Sequence, residues 1–456
     1  EEPALMAEIA QVRTRIGEVE SNAATRQQEW ERKLSATPEQ AASLAEAVRR
    51  ALAIAAEQRS DEQKKLLADE FKKVDAEFVP LLAVLKELQD RQKQLTARIT
   101  TTLVMKERAK PRESYIHVRG DFLRQGAPVQ PGVPSVLPAI EHAGAASRLD
   151  LARWLVAAQN PLTPRVTVNR IWQHHFGRGI VETENDFGTQ ANPPSHPELL
   201  DWLAGQFIEG GWSLKTLHRL IVTSATYRQS SAWRKDVAER DPAGALLARM
   251  PRLRLDAETI RDAALTASGL LCRELGGPGV YPPQPAGIYR FTQQVKYWKE
   301  NADADRFRRG LYIYFWRSSP YPFLMTFDAP DANTTCTRRV RSNTPLQALT
   351  LANDRVFLEA AQALACRVLA ESPSATDAER IGYLYQLCFA RAPAHGEAAR
   401  LAELLAAARH SFAAATSDAE TVSGGFRPTN VPPAEAAAWT SLARVALNLD
   451  EFVTRE

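Results

Sequence analysis

The chain has 456 residues, of which 45% are hydrophobic and 24% charged, and a formal net charge of +3. That length allows two or three domains with sizeable cores, and the composition is that of a globular protein. So weak a positive charge argues against nucleic acid as a partner held by bulk electrostatics, and no apolar run reaches the roughly 18–20 residues that span a bilayer.

Residues 1–105 read as an antiparallel helical hairpin or small bundle with coiled-coil character. Leu5, Ile9, Val12, Ile16 and Val19 recur at alternating steps of four and three, which makes one apolar stripe on a helix. The stripe continues through Ala23 to Trp30 and Leu34. Thr37-Pro38-Glu39 then stops it and starts a new helix, with Thr37 as N-cap and Pro38 in the first turn. Ser60-Asp61-Glu62-Gln63 is a capping-box pattern for a third. From there apolar positions run from Leu66 to Ile99, and Pro80 is expected to kink that helix rather than end it. An arm of this kind serves as a spacer or assembly device.

Residues 106–146 form an extended strand and turn linker, with Tyr115-Ile116-His117-Val118 as a β-prone run. Arg119-Gly120-Asp121 reads as a turn after a strand rather than an adhesion motif. Residues 147–456 form a mainly helical domain with a few short strands. Helices are expected from Ser147, from Thr163-Pro164, from Pro197, over 215–224, once or twice within 242–275, and from Thr344-Pro345 to Leu369. Further ones cover 377–389 and 396–415. A final amphipathic helix carries Trp439, Leu442, Val445, Leu449 and Phe452 on its buried side. Leu311–Trp316 is a strand-sized apolar run, in which alternation turns Tyr312, Tyr314 and Trp316 to one side and Ile313 and Phe315 inward. The overall class is mainly α.

Four cysteines, Cys272, Cys336, Cys366 and Cys388, are too scattered for a disulfide scaffold and stand in no CxxC or CxxCH. This segment therefore carries no haem attachment and no zinc ribbon. With no initiator Met and no signal peptide at Glu1, the expectation is a processed product or a piece of a longer protein.

Several motifs carry a family resemblance. Among them are Pro111-Arg112-Glu113, Arg119-Gly120-Asp121-Phe122, Val168-Asn169-Arg170-Ile171-Trp172, His175-Phe176-Gly177-Arg178-Gly179 and Asp186-Phe187-Gly188. Ser195-His196-Pro197-Glu198, Ser224-Ala225-Thr226-Tyr227-Arg228, Phe327-Asp328-Ala329-Pro330, Cys336 with Arg338-Arg339, and Thr344-Pro345-Leu346-Gln347 extend the set. The chain resembles, from about Ala51 to Arg455, the planctomycete-type secreted C-terminal domain of unknown function (domain of unknown function 1553). That domain stands downstream of a cytochrome-c-like module and a second uncharacterised domain. The resemblance implies an extracytoplasmic location (periplasmic or secreted), partner domains of the cytochrome-c type upstream in the same protein, and a setting in polysaccharide breakdown. It implies no established reaction.

Three constellations carry candidate chemistry. His174 lies on the opposite helix face from His175, which reads as a core histidine. A following loop could bring Asp186 and His196 to His174 as ligands of a divalent metal, or those groups could tie the loop by hydrogen bonds. Asp328 and Asp331 are the candidate carboxylate pair for glycoside hydrolysis, or else caps and counter-ions of Arg338, Arg339 and Arg341. Cys336 could be a nucleophile, but its segment offers no histidine partner. Finally, ten Lys and Arg against five acids between Pro285 and Arg341 leave a local excess of +5. Arg290, Arg308, Arg309, Arg338 and Arg339, with Trp298 as a stacking face, are candidate binders of an anionic polysaccharide or, on the chemistry alone, of a single-stranded nucleic acid, or else the arginines form internal Arg–Asp pairs that hold the domain together. Two functional expectations stay open: a carbohydrate-associated module within a larger cytochrome-linked protein, with or without catalysis, and a non-catalytic scaffold whose helical arm mediates assembly.

Overall fold

The computed structural model describes residues 2–37, 39, 41, 43–99, 101–108, 110, 112–144, 146–290 and 297–455. Pro38 of the expected second helix start, Pro111 of the family motif and Lys296 of the basic run lie outside them. The chain is mainly helical, and it divides into two compact units, Glu1–Glu113 and Ser114–Glu456.

In the first unit, α1 (Glu2–Ser21) packs along α5 (Phe78–Arg98). The two run antiparallel. Met6, near the start of α1, accepts a hydrogen bond from Gln92 near the end of α5, while Ile16 and Val19 meet Phe78 and Leu82 at the other end. Between them come α2 (Ala24–Ala36), α3 (Glu46–Leu52) and α4 (Asp61–Lys72). Trp30, Phe71 and Phe78 close one small core, and Val48, Ala51 and Leu67 close another. The Ser60–Gln63 capping box forms as its pattern required. The expected kinked helix through Pro80 does not. Helix α4 ends at Lys72, and Asp75 accepts the Glu77 and Phe78 amides, so that α5 starts afresh. Pro80 then sits in a first turn, where a missing N–H costs nothing because that donor has no intrahelical partner anyway.

The second unit opens with a hairpin of β1 (Ser114–His117) and β2 (Gln125–Val129), antiparallel with Tyr115 opposite Pro128. Arg119-Gly120-Asp121 is the turn that joins them, with left-handed backbone at Arg119 and Gly120. Next come α6 (Arg148–Leu155), α7 (Thr163–Phe176), α8 (Pro197–Glu209), α9 (Leu214–Val222) and α10 (Lys235–Arg240). Val168, Trp172, Phe176, Leu200, Leu203, Phe207, Leu217 and Ile221 form one core. Two glycines allow α7 to end where it does. Gly177 caps it at φ +74, and a Cβ on Gly179 would meet the Asn169 amide at 2.7 Å. Buried Asn169 bonds both the amide and the carbonyl of Val181, so one side chain does the work of a neighbouring strand.

The larger core holds α11 (Ala257–Ser268), α12 (Pro322–Thr326), α13 (Pro345–Asn353), α14 (Arg355–Glu371), α15 (Asp377–Phe389), α16 (His395–Ala414) and α18 (Pro433–Asn448), with α17 (Thr416–Ser423) packed on α18. Asp354 closes α13 and caps α14, accepting the Val356 amide at 2.9 Å. Helix α18 is not amphipathic. Ala436, Ala437, Ala438, Trp439, Leu442, Ala443, Ala446 and Leu447 are all buried, whereas Val445 is 38% exposed. A helix apolar on most faces belongs in the centre of a bundle, and its alanines let α14, α16 and α17 approach closely. Strand β4 (Thr454–Arg455) pairs antiparallel with β3 (Leu253–Arg254). Arg455 reaches the His175 carbonyl in the other core. No helix among the described residues is long and apolar enough to cross a membrane.

The expected strand at 311–316 is absent as a ladder. Gly310–Tyr312 is a single 3-10 turn, and Ile313 makes only an isolated parallel bridge to Val280. The alternation survives nonetheless. Ile313 is buried, Phe315 packs on the core, and Tyr314 stacks on Tyr281 at 5.1 Å.

Candidate functional site

Among its described residues, the segment 276–343 has little regular structure, so its buried carbonyls need partners from elsewhere. Arginines supply many of them. Arg308, 3% exposed, donates to the carbonyls of Glu274, Gly276 and Pro278, and its guanidinium lies 3.9 Å from the Tyr312 ring. Arg261 on α11, 1% exposed, donates to the carbonyls of Arg306 and Arg308 at 2.6 Å each. Trp298 donates to Pro282 and Tyr321 to Pro283. Trp298 also stacks on Tyr321 at 5.7 Å and meets Tyr281 edge-on. It is a wedge in an aromatic cluster, not a free platform.

Helix α11 is the electrostatic spine of this face. Arg339 forks onto Glu258 at 2.6 and 3.2 Å, and Arg341 reaches Asp256 at 3.2 Å. Asp262 accepts the Gly310 amide at 2.6 Å and the Arg309 guanidinium at 3.5 Å. One Arg306 nitrogen, Nη2, donates to both carboxylate oxygens of Glu359 on α14 at 2.6 Å. These four acids lie outside 285–341 and pair with four of its arginines, with Asp262 shared with Arg261 and Glu359 with Arg355. Burial pushes the Asp262 and Asp354 carboxyls above their ordinary range and the Arg261 guanidinium below its own. Arg290 and Arg309 are exposed. Arg338 is exposed too and makes no ion pair among the described residues.

The two candidate catalytic acids are engaged differently. Asp328, at φ +61, accepts the Ser342 amide and hydroxyl at 2.8 and 2.7 Å and the Gln347 amide at 3.3 Å. Asp331 is exposed, and donors from the Asn333 backbone and side chain hold its carboxyl below the usual range. Asp328 follows the short helix α12 rather than a strand. Cys336 is exposed and donates to the Arg338 carbonyl at 3.3 Å. All four cysteines are free thiols, and burial pushes Cys366 to about 11 and Cys388 to about 12.

The metal candidates do not converge. Among the described residues, no group of three or more His, Cys, Asp or Glu stands so as to hold an ion. His174 is exposed on α7, Asp186 accepts the Gly188 amide in a tight turn, and His196 bonds the Ser195 hydroxyl at 3.0 Å. His175 instead pairs with His218 at 2.9 Å under the Tyr227 ring. Burial, helped by His218, Arg455 and His174, pushes it down to about 4.

Asn185 donates to the Thr337 hydroxyl at 2.7 Å and joins the 182–192 loop to the 331–341 loop. A cleft of about 350 Å³ nearby is lined by residues of 162–201 alone, among them Arg165, Phe187, Asn192 and Asp201. Sequence reasoning missed Arg261. Its signal was available, because it falls on the buried stripe of Ala257, Ile260, Ala264 and Leu265, where a charge must have internal partners. No curated protein and no solved structure matches this chain. One family does: residues 147–405, more than half of the chain, match the protein family of unknown function DUF1553 (PSD1), and the chain belongs to that family.

Proposed function

We propose that this chain is a non-catalytic recognition and assembly module of a larger extracytoplasmic protein, with the helical unit as its assembly arm. The location and the cytochrome-c-type partner domains come from the family resemblance. One observation carries the reading: five of the ten basic side chains of 285–341, Arg306, Arg308, Arg309, Arg339 and Arg341, are engaged by internal carboxylates and carbonyls. Glycoside hydrolysis by two carboxylates needs one of them protonated across a cleft from the other. Asp328 is held by three donors, and Asp331 is biased toward its ionised form.

The test compares Arg339→Ala with Glu258→Ala. Both variants should lose thermal stability by similar amounts, because each leaves the partner of the removed side chain unpaired. Retention on an acidic polysaccharide column should be the same for both. A selective loss of retention in Arg339→Ala, without loss of stability, would make Arg339 a ligand-binding group. Recognition of an anionic polysaccharide is the second reading, favoured by the exposure of Lys299, Arg317 and Arg338 on one segment. It predicts binding that weakens with salt.

A further inference from the structure

A separate cleft of about 420 Å³ lies at the start of the family-matched region, between the 138–141 loop and α6. That volume falls within the roughly 300–1,000 Å³ of small-ligand sites. Its lining combines the flat Trp154 indole with Glu141, Asp150, Arg153, Gln159 and Asn160. Trp154 lies outside both large cores and is half-buried at the cleft wall. Its ring nitrogen is already spent on the Pro138 carbonyl at 2.7 Å, which fixes the plane and leaves the face. Buried Asn160 braces the wall, accepting the Leu162 and Thr163 amides and donating to the Trp154 carbonyl.

We propose that this cleft binds a neutral, hydroxyl-rich ligand, a short stretch of uncharged oligosaccharide. An aromatic face suits the C–H face of a pyranose ring. Carboxylate acceptors, a guanidinium and an amide together match the mixed donor and acceptor pattern of sugar hydroxyls. Two acids against one arginine give the lining a formal charge of −1, which disfavours uronic or sulfated units. Hydrogen bonds from Ser147 hold the Asp150 carboxyl below the usual range, so it stays an acceptor at neutral pH. The site is independent of the arginine-rich segment and of the assembly reading. It can exist with either, and its failure leaves both untouched.

The test is calorimetric titration of the whole chain with neutral β-linked hexasaccharides of glucose, xylose and mannose, alongside a hexauronate. At least one neutral hexasaccharide should bind saturably and more tightly than the hexauronate. Trp154→Ala should weaken it at least tenfold, while Trp202→Ala, at an exposed tryptophan on α8, should leave it unchanged. If Trp154→Ala unfolds, Gln159→Ala at the cleft wall should weaken binding several-fold with an unchanged melting midpoint. No binding of any neutral hexasaccharide, preference for the hexauronate, or indifference to both cleft variants overturns the proposal.

Discussion

The bundle around α18 and the segment 276–343 lie in the same unit and solve the same problem by opposite means. In the bundle most backbone groups are satisfied within their own helices, so side chains are free to be apolar and small. Ala436, Ala437, Ala438, Ala443 and Ala446 do nothing but let neighbours in, and Trp439 fills the space they leave. The segment 276–343 has few ladder partners, and its carbonyls are closed by Arg261, Arg308, Trp298 and Tyr321. Part of a run of arginines and aromatics that reads as a candidate binding face in sequence, Arg308, Arg339, Arg341, Trp298 and Tyr321, is engaged in internal contacts in space. A buried loop without strands must import donors, and arginine carries more of them than any other side chain.

The strongest way to break this comparison is in the bundle. Trp439→Ala should cost about 3–5 kcal/mol, the usual penalty for emptying a large core site, measured by denaturant unfolding. A loss below about 1 kcal/mol would mean that α18 can collapse and is not the centre it looks. Next comes the loop face. Arg261→Met keeps the bulk but leaves two carbonyls unpaired, and should cost about 2–6 kcal/mol at roughly 1–3 per stranded group. If Arg261→Met is neutral, the arginines are not architectural and the binding reading of the segment regains force.

The junction between the two cores sharpens the picture through pH. His175 has a folded pKa of about 4 against 6.5 for the free side chain, so the unfolded chain takes up its proton first. The contribution of neutral His175 to stability is present above about pH 6.5 and is lost as pH falls toward 4. His175→Phe should flatten the melting midpoint between pH 6.5 and 4 relative to the parent chain. An unchanged slope would show that His175 is solvated enough to titrate normally. The smallest effect belongs to Arg338→Ala, which should leave the midpoint unchanged, since Arg338 has no ion-pair partner among the described residues. A clear drop would reveal that it, too, is structural.

The sequence alone determined the helices whose ends are written in local chemistry. The Ser60, Ser147 and Thr376 hydroxyls each accept the amide three residues on, as their spacing requires, because a cap involves residues only three apart. The mainly helical class and the apolar stripe of α1 were legible for the same reason. Only the tertiary structure decided the rest. Pro80 begins α5 instead of kinking it because Asp75 closes the turn before it. Val445 faces out while alanines around it are buried, because the neighbours of α18 surround it on unequal sides. The fate of the arginines was the least legible: Asp256, Glu258, Asp262 and Glu359 stand about 50 to 85 positions from the residues they neutralise. Charge summed along a chain ignores folding, whereas charge in space is set by which helix a loop happens to cross.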